Sequence, residues 1–140
     1  MTGVVPPDLE QWLCDYLRAR LPDVPGLKVK NKTPPDYVGA YPLVTIRDDG
    51  GDRDEFLEYT RSIGVNVLGW NQARDKPCKD LARRVSALLT DETALQSASG
   101  SPVIAVDYGS CNGPYAVTEE AEYAHYYLIV GLMAAGEPID

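Results

Sequence analysis

Three groups of side chains in this sequence could do chemistry. His125 is the sole histidine, five carboxylates (Asp48, Asp49, Asp52, Asp54 and Glu55) crowd into "RDDGGDRDE", and three thiols stand at Cys14, Cys78 and Cys111. A histidine could act as the general base of a Ser–His–acid triad or ligate a transition metal. No Gly-x-Ser-x-Gly elbow accompanies it, and it lies in an apolar run beside Tyr123, Tyr126 and Tyr127, so it reads as a half-buried structural residue. The carboxylates could hold a calcium or magnesium ion, which take oxygen ligands. Their spacing misses the alternate-position pattern of an EF-hand loop, so they read as a solvated hairpin tip. The thiols have neither zinc-type pair spacing nor a disulfide framework, and they read as reduced cysteines, Cys14 and Cys78 on helix faces. No glycine pair is followed by Lys-Ser or Lys-Thr, so no phosphate cradle is expected. The expectation is a protein with no catalytic residue, no metal and no organic cofactor.

The elements that would carry these residues follow from periodicity. Leu9, Trp12, Leu13, Tyr16, Leu17 and Leu21 form one stripe at helical spacing. Pro6-Pro7 leads in, Asp8 and Glu10 suit the first turn, Arg18 and Arg20 the last, and Pro22 stops the helix. "LKVKNK" predicts an edge strand whose lysines discourage foreign pairing. "TPPDYVGAYP" predicts a loop, "LVTIRDD" a second strand and "DGGDRD" a turn. From Leu57 the chain alternates: Leu57, Tyr59, Ile63, Val65 and Val67 share one face, interrupted by Arg61, while Glu58, Thr60, Ser62, Gly64 and Asn66 share the other. Such alternation predicts one buried face and one that is wet or meets a partner.

That strand ends at Trp70, and a second helix starts near Asp75 with Pro77 in its first turn. Its stripe is Cys78, Leu81, Ala82, Val85, Leu88 and Leu89. "TALQSASGS" predicts a surface loop, "SPVIAVDYG" a strand, "GSCNGP" a turn or loop, and "EYAHYYLIVGLM" a central strand, apolar on both faces from Tyr126. "EEAE", Glu119 to Glu122, reads as a charged lead-in to it. The sum is a single α+β domain over residues 1–140, a mostly antiparallel sheet with two helices packed on one face, in the order α-β-β-β-α-β-β.

Charge excludes one function class. Residues 1–70 carry eight basic and eleven acidic side chains, the remainder five and ten, for a net charge of −8. Sequence-independent DNA binding needs clustered Lys and Arg; an acidic surface suits a protein that passes near DNA without adhering. No apolar run approaches the ~18 residues of a membrane span. The start "MTGVVPPDLEQW" has no basic region followed by an apolar stretch, so the protein is expected to stay where it is made. Nine tyrosines and two tryptophans against one phenylalanine favour contact surfaces, with Tyr37, Tyr41, Tyr108 and Tyr115 in or beside loops.

Taken in order, "PPDLEQWLCDYLRARL", "PLVTIRDDGGDRDEF", "SIGVNVLGW" and "DLARRVSALL" resemble the tail terminator proteins of long-tailed (siphovirus) actinobacterial phages. The resemblance implies a structural virion protein and a fold related to the tail tube subunit. It would form a homo-oligomeric ring, typically a hexamer, at the head-proximal end of the tail. The ring caps the tube, stops its growth and joins it to the head connector or stopper protein, and DNA passes through its lumen without specific binding. The strand-to-helix hinge at Trp70 would then set one subunit's sheet against its neighbour's. The expected partner-binding residues are Arg47, Asp48, Asp49, Asp52, Arg53 and Asp54. Arg47 and Arg53 would pair with partner carboxylates at a docking face, or the acidic loop would face the lumen and repel phosphates. Rival readings are a head–tail connector or stopper and a small hydrolase built on the Asp48–Glu55 carboxylates.

Overall fold

The computed structural model describes residues 3–139. Helix α1 (Leu9–Arg20) forms where the first apolar stripe predicts it, and Leu9, Leu13, Cys14, Tyr16 and Leu17 are buried. Asp8 lies just outside the helix as its N-cap rather than in the first turn: its carboxylate accepts from the Gln11 amide at 3.1 Å. Such a cap contributes about 1 kcal/mol. Trp12 stacks on Tyr16 with centroids 5.2 Å apart, and the Arg20 guanidinium covers the other side of that ring at 3.6 Å.

The sheet is built from β2 (Lys28–Lys30), β3 (Leu43–Asp48), β4 (Glu58–Gly69), β5 (Val103–Val106), β6 (Asn112–Ala116) and β7 (Ala124–Ala135). A further short strand, β1 (Val4–Val5), pairs with β8 (Glu137–Pro138) and ties the two ends of the chain together. Neither was expected, since two-residue strands carry no periodicity. In the main sheet the order is β2-β3-β4-β7-β5, and β6 also pairs with β7. Pairing is antiparallel except between β2 and β3. β7 is central as its two apolar faces require: it pairs with β4 from Ala124↔Gly69 to Ala135↔Glu58, while β5 and β6 share its other edge.

The helices lie on one face. Helix α2 (Lys76–Leu89) starts after Asp75, whose side chain makes no cap bond and instead accepts from the Tyr126 hydroxyl at 2.8 Å, pinning the helix start to β7. That bond, with burial, pushes the Tyr126 hydroxyl up to about 12. Arg84 grips Asp23 through two 2.9 Å bonds, joining α2 to the turn after α1. The core is a layer of Leu13, Leu17, Leu81 and Val85 against Val44, Ile46, Ile63, Val65, Leu128 and Val130. Each such side chain contributes roughly 1.5–3 kcal/mol on full burial.

Two segments depart from the loops expected of them. "TALQS" belongs to a third helix, α3 (Glu92–Ser97), where Asp91 caps the Ala94 amide at 3.2 Å and Leu95 is wholly buried. One apolar residue in a polar stretch gives no periodic signal, yet it anchors the turn. Glu92 also reaches the Val106 amide of β5 at 2.9 Å. "CNGP", within the expected turn, instead enters β6, where the register to β7 is interrupted between Asn112 and Tyr115. Pro114 occupies that gap, where no ladder hydrogen bond is asked of it. "SPVIAVDYG" ends as a strand at Val106, and Tyr108–Ser110 form a single 3-10 turn. The α+β class, the mostly antiparallel sheet and the one-sided helices hold, with three helices among the described residues.

Candidate functional site

The hairpin between β3 and β4 is an extended arm rather than a short acidic tip. "DGGDRD" does not form the turn. The ladder runs on past β3: Asp49 donates to Ser62, Ser62 to Gly50 (both 2.9 Å) and Thr60 to Asp52 (2.8 Å), and Arg53 pairs with Tyr59. The reversal comes later, over Glu55–Phe56–Leu57–Glu58, closed by Glu58 N–H on the Glu55 carbonyl at 3.3 Å. Gly50 and Gly51 sit within the arm, where Gly51 has φ 154° and a Cβ would stand 2.1 Å from the Thr60 carbonyl. Only glycine fits so close an approach.

The arm is held by Arg61, the residue that breaks the alternation of β4. It is 9% exposed, and its Nη1 donates to the carbonyls of Gly51 at 2.9 Å and Thr60 at 3.1 Å. Its Nε lies 3.8 Å from Asp48, and its guanidinium stands 4.9 Å from the Tyr59 ring centroid. Asp48 in turn accepts from Gly50 N–H at 2.8 Å, while its own N–H donates to Glu10 of α1 at 2.8 Å. The arm root is thereby fastened both to the sheet and to the first helix.

The six residues expected to bind a partner lie at the end of β3 and in this arm, and five of their side chains are engaged within the chain. Arg47 pairs with Asp49 through contacts of 2.5 and 3.3 Å on the sheet face opposite the helices, beside Tyr127. Asp48 faces Arg61. Arg53 donates twice to the Phe56 carbonyl, at 2.5 and 3.2 Å, bracing the turn. Asp54 accepts from the Thr60 hydroxyl. Asp52, with neighbouring Glu55, is left pointing to solvent without a side-chain partner among the described residues. Among those residues no three metal-ligating side chains converge here or elsewhere.

Beside these charges the arm also exposes apolar groups. Phe56 and Leu57 are each about half exposed, at 52% and 51%, so Leu57 lies in the turn and not on the buried face of β4. The Leu57 carbonyl accepts from Gly136 N–H at 2.7 Å, which brings the tip beside the β1–β8 ribbon and its exposed Val5 and Ile139. The sequence signal for this surface was the exposed-turn position of the lone phenylalanine, masked by the density of charge around it.

At the other end of β4, Trp70 takes φ 51°, a left-handed conformation rare for a bulky residue, and is 36% exposed. The hinge is locked by Asn71, whose Oδ1 accepts Arg74 N–H at 2.8 Å, and by Gln72, which donates to the carbonyls of Glu122 (2.9 Å), Glu119 (3.0 Å) and Ala121. Nearby, Tyr37 meets Tyr41 and Tyr123 edge to face at 5.2 and 5.0 Å. Tyr115 stands 5.7 Å from Tyr127, and the Tyr108 hydroxyl donates to Thr90 at 3.2 Å.

His125 is half-buried on the sheet face away from the helices. Its Nδ1 lies 3.0 Å from Glu119 and its Nε2 2.6 Å from the Asn66 amide, which also meets the Thr45 hydroxyl at 3.2 Å. Burial pulls its pKa below the ordinary 6.5, opposed by the Glu119 carboxylate. The Nδ1 contact holds the 117–122 segment to β7, and the Nε2 contact ties β7 to β4. Cys14 and Cys78 are buried on the helix faces, and desolvation pushes their thiols up to about 11 and about 12; Cys111 is partly exposed.

No family model matches the chain. No curated protein matches it. Among the 13 chains of known structure that do match, one is 19% identical, overlaps 92% of this chain and 90% of its own, and superposes with a TM-score of 0.45.

Proposed function

We propose that this protein is a structural subunit of a phage tail. In this reading, copies close into a ring, six-fold as the resemblance implies, that caps the finished tail tube, ends its growth and joins it to the head connector. The ordered resemblance of the α1, β3, β4 and α2 segments motivates the reading. The observation that supports it in the molecule is the end of the β3–β4 hairpin, braced by Arg61 and Arg53 beside β7 and ending in exposed Phe56 and Leu57. Apolar side chains held out on an ordered arm favour contact with another protein surface. The half-exposed sheet face away from the helices and the braced hinge at Trp70 add surfaces for a neighbour. A net charge of −8 suits a lumen that DNA traverses without sticking.

The experiment is electron microscopy of particles made with and without this gene product. Its loss is expected to give tubes of uncontrolled length and tails without heads, and labelled protein is expected at the head-proximal end of the tail. Tails of normal length beside heads that leak DNA would move the reading to a stopper protein. Normal infectious particles made without the protein would refute both.

A further inference from the structure

The surroundings of His125 cannot be satisfied by one fixed set of protons. Its Nδ1 lies 3.0 Å from the Glu119 carboxylate and its Nε2 2.6 Å from Asn66 Oδ1, while Asn66 Nδ2 donates to the Thr45 hydroxyl at 3.2 Å. A neutral imidazole has one N–H and one bare nitrogen, and an ionised carboxylate only accepts. Two oxygens against the two ring nitrogens therefore suit the doubly protonated ring. The neutral ring must lose a contact or have a partner change its role. Glu119 cannot become a donor, but Asn66 can: half a turn of its amide exchanges oxygen for nitrogen and leaves the backbone in place. Nδ2 then donates to the bare Nε2, and Oδ1 accepts from the Thr45 hydroxyl. Thr45 is 4% exposed, so its hydroxyl has little water to turn to and follows the amide.

We infer that His125, Asn66 and Thr45 form a proton-operated relay across β7, β4 and β3. Above its midpoint the imidazole keeps its single proton on Nδ1, toward Glu119, and Asn66 presents its NH2 group to Nε2; the partner of one nitrogen sets the tautomer at the other. Below the midpoint the imidazole donates from both nitrogens, and amide and hydroxyl reverse together. Around the imidazole, the 117–122 segment contributes Glu119, β4 Asn66 and β3 Thr45, and Tyr123 and Tyr127 flank it along its own chain. Glu119 is the charged group that acts on it among the described residues. In the acid form the 3.0 Å contact becomes an ion pair. That tightens the hold on a segment whose Glu119, Ala121 and Glu122 carbonyls also accept from Gln72, beside the hinge at Trp70. A single proton is thereby felt at a partly exposed carboxylate and at a buried hydroxyl two strands away. The relay does not depend on the tail reading above.

His125 is the sole histidine, so its ring nitrogens can be followed without ambiguity by long-range proton–nitrogen NMR correlation on the labelled wild type. At pH 8 the spectrum is expected to show Nδ1 protonated and Nε2 bare, the opposite of the tautomer that free histidine prefers. As pH falls both nitrogens are expected to become protonated, and the Asn66 side-chain amide signals are expected to move with the same midpoint. Asn66→Asp replaces the amide with an acceptor that cannot reverse, and is expected to raise the midpoint by about 1 unit or more, a tenfold tighter hold on the proton. Glu119→Gln removes the facing charge and is expected to lower it. Thermal melts check that both variants fold, and the wild-type spectra test the relay without them. A ring protonated on Nε2 at pH 8 would overturn the relay, as would an Asn66 amide that stays still while the ring titrates. A ring that takes up no second proton at any pH where the protein remains folded would overturn it too.

Discussion

Arg61 is the residue on which the arm depends, and its removal tests that claim directly. Substitution by alanine deletes a guanidinium that bonds the Gly51 and Thr60 carbonyls at 2.9 and 3.1 Å and stands beside Asp48 at 3.8 Å. A hydrogen bond from a charged donor contributes about 1.5–3 kcal/mol. Water re-enters a site whose Asp48 side chain is 21% exposed and keeps its bond from Gly50, so the ion pair itself is worth little at that distance. Water entering the vacated site meets the two carbonyls and offsets more than half of their combined ~3–6 kcal/mol, so with lost packing on Tyr59 the cost is about 2–3 kcal/mol. For a chain of this size that is a fall in Tm of roughly 6–12 °C. Arg61→Met keeps the stem against the Tyr59 ring and is expected to recover part of it, leaving the polar loss. Differential scanning calorimetry reads the stability, and amide exchange reads the arm, where the Thr60 and Ser62 amides are expected to lose protection ahead of the core strands. A shift below about 2 °C with unchanged exchange at those amides would mean that the Gly50–Gly51 backbone holds its place unaided and that Arg61 is incidental.

The remaining expectations are briefer. His125 has its pKa depressed by burial below 6.5, so the folded state binds fewer protons than the unfolded chain. Its contribution is therefore complete above pH 6.5 and is lost as pH falls toward the lowered folded value. Wild-type Tm is expected to fall between pH 7 and 5 more than that of His125→Gln, and parallel curves would count against this. Leu95→Ala, at a fully buried position in α3, is expected to cost about 2–5 kcal/mol in urea unfolding, whereas a loss under about 0.5 kcal/mol would return the segment to a surface loop. A thiol reagent is expected to label Cys111 first in the folded protein, with Cys14 and Cys78 reacting on unfolding; three equal fast phases would contradict their burial.

Where the sequence was legible, periodicity was the reason. The stripes of α1 and α2, the alternation of β4 and the unbroken apolarity of β7 each state a face, and the packing follows from satisfying those faces together. The misses lie where the deciding interaction is between residues distant in sequence. α3 depends on one leucine finding the core, β6 on an edge that β7 supplies, and β1–β8 on the meeting of the two ends of the chain.

The arm illustrates the same limit at the candidate site. Its composition marked a hairpin, and "DGG" pointed to a turn, because glycine pairs most often supply one. Here the glycines allow the backbone to press against Thr60, and the turn moves six residues on, to Glu55–Glu58. That single displacement changes what the segment offers. The carboxylates and arginines that looked free for a partner are largely engaged within the chain, by one another, by Arg61, by Thr60 and by the Phe56 carbonyl, and the lone phenylalanine stands exposed at the turn. Arg61 was visible as an irregularity in β4, and a buried arginine in a strand must satisfy its donors on nearby backbone. Asking where those donors could go leads to the Gly51 carbonyl, and so to a hairpin whose outer strand continues the ladder from β4 past Asp48. An ordered arm can deliver an apolar tip to a neighbour without first losing the freedom of a mobile loop, and this is what makes it a physically favourable contact element.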